Sequence, residues 1–350
     1  MNTPFGIVLI GRNEGPRLRA SLASLRQIRD VAPLQVVYVD SGSTDDSVQL
    51  ARDSGADVVQ LDVSQGFTAA RARNAGAQRL LQLAPDVRFL QFIDGDCTID
   101  PRWPAHALQY LHHHGDVAVV CGRRRERFPN TTVFNLLCDI EWATPIGNAC
   151  EFGGDCMMRA DIFTRMNGYR ETLIAGEEPD LAARIRLAGH RIVRLNHEMT
   201  LHDAAMTSPI QWWRRMKRSG HALAELYHLH GRSPLRFYRS QLRSTLVWAA
   251  VVPAFITLLA LIFSMWLLLL LPIAYGYLAM RITRHMLERG EDHAHACIYA
   301  LSCVVGKVPQ LAGLIQFHRN RWANRPSVLI EYKRPSPAMP ADAALHTSQS

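Results

Sequence analysis

Short apolar runs alternate with amphipathic stretches over the first third of the chain. Residues 5–10 (FGIVLI), 34–40 (LQVVYVD), 56–62 (ADVVQLD) and 87–94 (VRFLQFID) are rich in β-branched and aromatic residues and end in turn residues, which predicts four strands. Between them the spacing predicts helices around residues 16–29, 45–54 and 68–83. Strands alternating with helices imply an α/β fold, a largely parallel sheet with helices on both faces. From 117 to 200 the pattern continues with a strand VAVVCG, a Gly-rich EFGGDCMMR, a helical PDLAARIRLAG and a strand HRIVRL. Pro179 suits a first helical turn, Glu177 and Glu178 sit on its N-terminal side and Gly189 can close it, so an acidic cluster marks that helix entrance.

After about residue 236 the pattern changes. Leu246 to Met280 carry no formal charge over 35 residues; at about 1.5 Å per residue that is roughly 50 Å of helix, too long for a single span of a ~30 Å hydrocarbon core. Two tight spans fit, about 246–263 and 266–280, turning near Ser264 to Trp266, with Pro253 and Pro272 relaxing each helix; one strongly tilted or kinked span is the alternative. Arg236, Arg239 and Arg243 precede the apolar stretch and Arg281, Arg284 and Arg289 follow it, which favours a hairpin with both ends in the cytoplasm. Residues 297–317 are again apolar but interrupted by Gly306, Lys307 and Pro309, and read as an interfacial amphipathic element. The Pro-, Ala- and Ser-rich end reads as a disordered tail.

Composition adds compartment and partner class. The net charge of +8 favours an anionic partner without saying which. Seven scattered cysteines with no C-x-x-C pair read as reduced thiols, and no basic segment precedes an apolar leader, so the expectation is a cytoplasmic catalytic part. No nucleic-acid recognition module is visible.

The chemistry concentrates at strand exits. LQFIDGDCTID places Asp94 and Asp96 two positions apart at the mouth of a buried strand, where ligands gather in open α/β sheets. Two carboxylates beside a Gly suit a hard divalent cation carrying phosphate oxygens, although an acidic surface turn fits the stretch alone equally well. At the second strand's exit, VYVDSGSTDDS fixes Asp40 where a carboxylate can accept hydrogen bonds from a base or ribose; an ordinary strand-turn-helix junction is the alternative.

Taken in order, LIGRNEG, VDSGSTDDS, GFTAARARNAG, FIDGDC, FGGDCMMRADIF, NGYRE, GEEPDLAARIRLAGHRI and the Gln-Trp-Trp-Arg-Arg stretch at 211–215 resemble glycosyltransferase family 2, the inverting enzymes of GT-A fold, over about residues 4–225. The resemblance implies a Rossmann-like, mostly parallel sheet flanked by helices, then the membrane hairpin. It divides the chain into a cytoplasmic GT-A domain (1–235), a membrane segment (236–290), an interfacial segment (291–333) and the tail (334–350). It implies that Arg12, Asn13, Glu14 and Asp40 line a nucleoside pocket, that Arg73 and Asn74 help hold the nucleotide, and that Gly153, Gly154 and Asp155 lie beside the donor sugar. Asp94 then approaches the ribose or the metal, Asp96 binds Mg²⁺ or Mn²⁺ bridging the donor diphosphate, and His202 is a further candidate ligand. An inverting transfer also needs a base for the acceptor hydroxyl. Family members usually carry Glu-Asp where this chain has Glu177-Glu178, so Glu178 is the expected base, with Glu177 and Asp180 as alternatives. Gln211, Trp212, Trp213, Arg214 and Arg215 resemble the Gln-x-x-Arg-Trp motif of processive synthases in a different order, and are expected near the acceptor and the membrane. The implied partners are a nucleotide-sugar donor, a UDP-sugar first, a sugar or lipid-linked acceptor, and membrane lipid.

Two other readings start from the same residues. FIDGDC also fits haloacid-dehalogenase phosphatases, but these place it on their first strand and follow it with a lysine, and there is no Lys between Met1 and Gly189. A membrane-anchored, non-catalytic nucleotide-binding scaffold is the other. RRRER at 123–127 either meets an anionic ligand or is a solvated strand end.

Overall fold

The computed structural model describes residues 4–325 and 327–330; the 334–350 tail lies outside them. Nine strands form one sheet: β1 (Phe5–Gly11), β2 (Val36–Asp40), β3 (Asp57–Gln60), β4 (Phe89–Asp94), β5 (Cys97–Ile99), β6 (Val117–Glu126), β7 (Gly147–Asn148), β8 (Cys156–Arg159) and β9 (Arg191–His202). Their order is β3-β2-β1-β4-β8-β6-β9-β5, with β7 also paired to β9. The first four strands are parallel, as the alternating pattern predicts. Beyond them the sheet is mixed: β8 runs antiparallel to both β4 and β6, while β6 and β9 pair in parallel through register shifts. The carboxyl ends of β1, β2 and β4 therefore open on one edge of the sheet.

Seven helices belong to this layer: α1 (Pro16–Leu25), α2 (Ser47–Asp53), α3 (Ala69–Leu83), α4 (Trp103–His113), α5 (Val133–Trp142), α6 (Ala160–Arg165) and α7 (Glu177–Leu187). Of these, α1, α2, α3 and α7 start close to where the sequence predicts, and α4, α5 and α6 are additional to the predicted helices. Thr68 caps α3 and Thr132 caps α5, each hydroxyl accepting from a backbone N–H three residues on. The core is continuous across the sheet, with Trp103 fully buried and its indole N–H donating to Gln91 Oε1 at 2.9 Å.

Five more helices follow: α8 (Pro209–His230), α9 (Arg239–Leu246), α10 (Val252–Ile262), α11 (Leu270–Glu288) and α12 (His293–Trp322). A π-helical turn, Val247–Val251, joins α9 to α10 just before Pro253. Proline supplies no N–H and crowds the carbonyl one turn back, which the wider turn accommodates. Ser264 is extended and caps the next segment, so the hairpin turns where the charge-free stretch predicts. Tyr275 Oη donates to Trp248 O at 2.8 Å, tying the hairpin's arms together. Among the described residues, Arg239–Ile262, Met265–Glu288 and His293–Trp322 are long and apolar enough to cross a membrane. The segment expected at the interface is thus one helix running through Pro309, and it lies along α8 with Ala296, Ala300, Gly306, Pro309, Gly313, Leu314 and Phe317 buried.

Candidate active site

A cleft of about 380 Å³ opens where β1, β2 and β4 end. The β1 exit (Gly11 to Glu14), Ser41, the start of α3, Asp94 to Asp96, Glu177 and Glu178 line it, together with Arg218 of α8 and Leu329 beyond α12. The acidic turn of LQFIDGDCTID is therefore a cleft wall.

Arg73 organises the floor. Its side chain is 3% exposed, yet Nη2 lies 2.8 Å from Asp94 and Nη1 lies 3.0 Å from both Glu177 and Glu178. Burial works against the guanidinium charge, and the carboxylates of Glu178, Asp94 and Glu177 outweigh it, so the arginine stays charged. Gly176 enters α7 in the left-handed region, φ 86°, and places both glutamates on the helix's first turn. Burial pushes the Glu178 carboxyl up, the Glu177 charge adds to it and Arg73 opposes it, leaving the group at about 7. A carboxylate at that value is suited to accepting a proton near neutral pH.

Asp94 is held from the other side by Arg124, whose Nη2 stands 3.3 Å away. Asp155, fully buried, accepts from the Asp94 backbone N–H at 2.9 Å and from Thr200 Oγ1 at 2.7 Å. This corrects the expectation that Asp155 meets a donor sugar: it has no exposed face and fixes Asp94 instead. Gly154 lets these groups meet, since a Cβ there would stand 2.5 Å from Arg73 Nη2 and 2.5 Å from Asp94 Oδ2.

Asp96 and His202 come together as predicted, Nε2 to Oδ2 3.3 Å, and Cys97 Sγ completes a group of three possible donors. Asp94 belongs to a separate group with Cys97 and Asp155. His202 Nδ1 is buried without a hydrogen-bond partner, 3.8 Å from Glu126. The oxygen and imidazole donors fit a hard divalent cation, whereas burial raises the Cys97 thiol well above its usual range and keeps it protonated, a poor ligand for such an ion. Trp142, at the end of α5, packs edge-on to His202 at 4.6 Å and carries the Arg124 guanidinium at 4.9 Å.

Several expected residues have other duties. Asp40 is 1% exposed and accepts from the Gly42 and Ser43 backbones, shaping the turn rather than lining the cleft. Asn74 pins the 169–171 loop through Tyr169 and Glu171. Asp180 is fully buried against Arg170, Arg184 and His230, which removes it as an alternative base. Gln211 closes the first turn of α8, accepting from Thr207 N–H at 2.9 Å, and Trp212 is in the core; Trp213 and Arg214 are exposed and Arg215 pairs with Glu141. Arg12 and Asn13 do border the cleft, Arg12 4.6 Å over the Phe67 ring and Asn13 Oδ1 accepting from Thr44 N–H. Thr200, Trp142 and Arg218 were not singled out from the sequence, and Arg124 and Glu126 only as members of the RRRER run. Strand alternation is the signal that was available for two of them: the side chains of Arg124 and Glu126 are buried more deeply than those of Arg123 and Arg125, the alternating positions of β6.

Residues 7–156 match the model of the family described as Glycosyl transferase family 2. Over 191 residues the chain is 25% identical to the O-antigen chain rhamnosyltransferase WbaN of Salmonella anatum, a match covering 48% of this chain and 58% of that relative, less than two thirds of its length. The mannosyltransferase PcManGT from Pyrobaculum calidifontis, solved in complex with GDP-Man and Mn²⁺, superposes with a TM-score of 0.57 at 16% identity, covering 92% of this chain and 89% of that one, which shows a shared fold. TarS 1-349 of S. aureus in complex with UDP-GlcNAc aligns more loosely, TM-score 0.47 at 15% identity over 93% of each chain. Over residues 7–156 the chain is thus similar to glycosyltransferase family 2, and its α/β sheet with flanking helices has a GT-A-like fold shared with that mannosyltransferase.

Proposed function

We propose that the protein transfers a sugar from a nucleotide-sugar donor to an acceptor hydroxyl with inversion, at the cytoplasmic face of a membrane, in the synthesis of a cell-surface polysaccharide or glycolipid. The observation that carries this reading is the single guanidinium of Arg73, which holds the strand-end Asp94 and the raised-pKa Glu178 together in one cleft. Glu178 takes the acceptor hydroxyl proton as that oxygen attacks the anomeric carbon, and the bond to the nucleoside diphosphate breaks on the opposite face. The β1 exit and Ser41 receive the nucleoside, with Arg12 and Phe67 offering a flat cationic and aromatic surface. Asp96 and His202 would hold a divalent cation, Mg²⁺ or Mn²⁺, which would supply positive charge against the leaving diphosphate. The acceptor is lipid-linked in this reading, because α8, which contributes Arg218 to the cleft, packs along the apolar α12.

The test is a screen of purified full-length protein against UDP-, GDP- and other nucleotide sugars with Mn²⁺ or Mg²⁺, read as nucleoside diphosphate release. Metal-dependent release with one donor is the expected result. Nucleotide binding with no turnover of any donor would instead support a non-catalytic scaffold.

A further inference from the structure

Arg194 carries a charge that forms no ion pair among the described residues. It lies on β9 between Cys121 of β6 and Gly147 of β7 and is 6% exposed. One Nη donates to the Thr144 hydroxyl, while its Nε has no hydrogen-bond partner. Among the described residues it has no salt bridge to a carboxylate. Burial and the nearby guanidiniums of Arg123 and Arg289 lower its pKa, against weaker support from Cys121 and Glu198. A buried unpaired charge costs several kcal/mol by general experience, and like charges add to that cost.

The neighbours give the site a direction. Arg289 directly follows α11 and donates to the Ala143 carbonyl, one residue from the Thr144 that receives Arg194. Arg123 is 42% exposed, with only a loose 3.7 Å contact to the half-exposed Glu198. Arg281, also exposed, lies two helical turns before Arg289 and thus on the same side of the helix, immediately after the charge-free stretch ends at Met280. A positive track therefore runs from the end of an apolar segment to a buried arginine on the catalytic domain.

We propose that Arg194, Arg289 and Arg123 form a binding site for the phosphate of an anionic phospholipid, apart from the donor cleft, which docks the β7 and β9 side of the catalytic domain against the membrane. The proposal rests on the membrane reading of the C-terminal helices. The phosphate supplies the counter-charge that Arg194 lacks, its unpartnered Nε–H becomes a donor to a phosphate oxygen, and the exposed Arg289 and Arg123 close the site from the solvent side.

The experiment places full-length protein in nanodiscs of phosphatidylcholine alone or with phosphatidylglycerol, and measures the thermal midpoint and amide exchange of residues 143–148. Phosphatidylglycerol is expected to raise the midpoint by roughly 2–4 °C, the shift of about one kcal/mol in a domain of this size, and to slow exchange in that turn. Arg194→Gln removes an unpaired buried charge, so its midpoint in phosphatidylcholine equals or exceeds that of wild type while the phosphatidylglycerol increment disappears; Arg289→Gln, at an exposed position, loses most of the increment without unfolding. An Arg194→Gln protein that keeps the increment, or that loses the same stability in both lipids as a mere turn anchor would, overturns the site. If inorganic phosphate reproduces the increment in detergent, the lipid assignment is wrong. A chain that purifies from the soluble fraction without detergent sinks the membrane reading itself, a result visible before any variant is made.

Discussion

Arg73 Nη1 stands 3.0 Å from the carboxylate of Glu178, and the same guanidinium touches Glu177 and Asp94. The resulting balance predicts a pH profile. Burial and the Glu177 charge raise the Glu178 carboxyl to about 7 against the pull of Arg73. A base must be deprotonated to act, so kcat/KM should fall about tenfold per unit as pH drops below about 7, with a plateau above it. Glu178→Gln should lower kcat by about 10²–10⁴-fold and remove that acid limb while donor binding persists. Glu177→Gln deletes the like charge and should move the limb to lower pH. A rate profile unchanged by Glu178→Gln removes it from the role of base.

Gly154 predicts a loss of activity with little loss of fold. An added methyl must push apart Arg73 and Asp94, whose charge-assisted bond is worth about 1.5–3 kcal/mol in general. Gly154→Ala should therefore reduce kcat/KM by about 10–100-fold. Its thermal midpoint should fall far less than that of a core truncation such as Phe92→Ala, since Phe92 is fully buried. Steady-state kinetics and a melt on the same samples separate the two effects.

Trp142 predicts metal affinity. Its ring lies between the Arg124 guanidinium and the His202 imidazole, so it fixes the orientation in which Nε2 meets Asp96. Outer groups that orient metal ligands typically change affinity by about 10–100-fold. Trp142→Leu should weaken Mn²⁺ binding, read by titration of the free-ion electron paramagnetic resonance signal, by about tenfold; Asp96→Asn should weaken it further. Equal Mn²⁺ affinity in Asp96→Asn and wild type would place the ion elsewhere.

The strands β1 to β4, β6 and β9 and the helices α1, α2, α3 and α7 were legible because each puts an apolar run or an apolar face into the core, and that burial marks the sequence. The motif order was enough to place Asp94, Asp96 and Glu178 on one cleft. What the pattern hid was the assignment of duties among polar residues of the same type. Asp40 and Asp155 look like ligand-binding acids from their loops, yet local backbone N–H groups and Thr200 use up their oxygens. Arg124 reads only as one member of the RRRER run, with an anionic ligand and a solvated strand end both open, because its burial depends on β6 lying beside β8 and β9, a non-local fact. The packing of α12 on α8 was hidden for a similar reason: apart from Leu314 and Phe317 its buried face is built from small residues and a proline, which do not say whether lipid or another helix covers it.

That contact supplies the last prediction. Gly220 of α8 and Gly313 of α12 let the two helices meet backbone to backbone: a Cβ on Gly220 would overlap the Gln310 carbonyl, and one on Gly313 would overlap that of Lys217. The next residue of α8, His221, is fully buried, with its ring edge-on to Phe317, one turn past Gly313 in α12, and its Nε2 within 3.0 Å of the Ser327 hydroxyl. Two residues on, Leu329 reaches the wall of the cleft. The glycine contact thus sets the position of the segment that borders the donor site. Gly313→Leu should force the helices apart at a cost of about 1–3 kcal/mol or more, lowering the thermal midpoint and raising the KM for donor several-fold by displacing Leu329. Gly276→Leu is the matched control, since nothing stands within 4 Å of a Cβ at Gly276 in α11, and it should leave both quantities unchanged. If Gly313→Leu melts like wild type and binds donor with the same KM, the two helices do not meet at these glycines in solution.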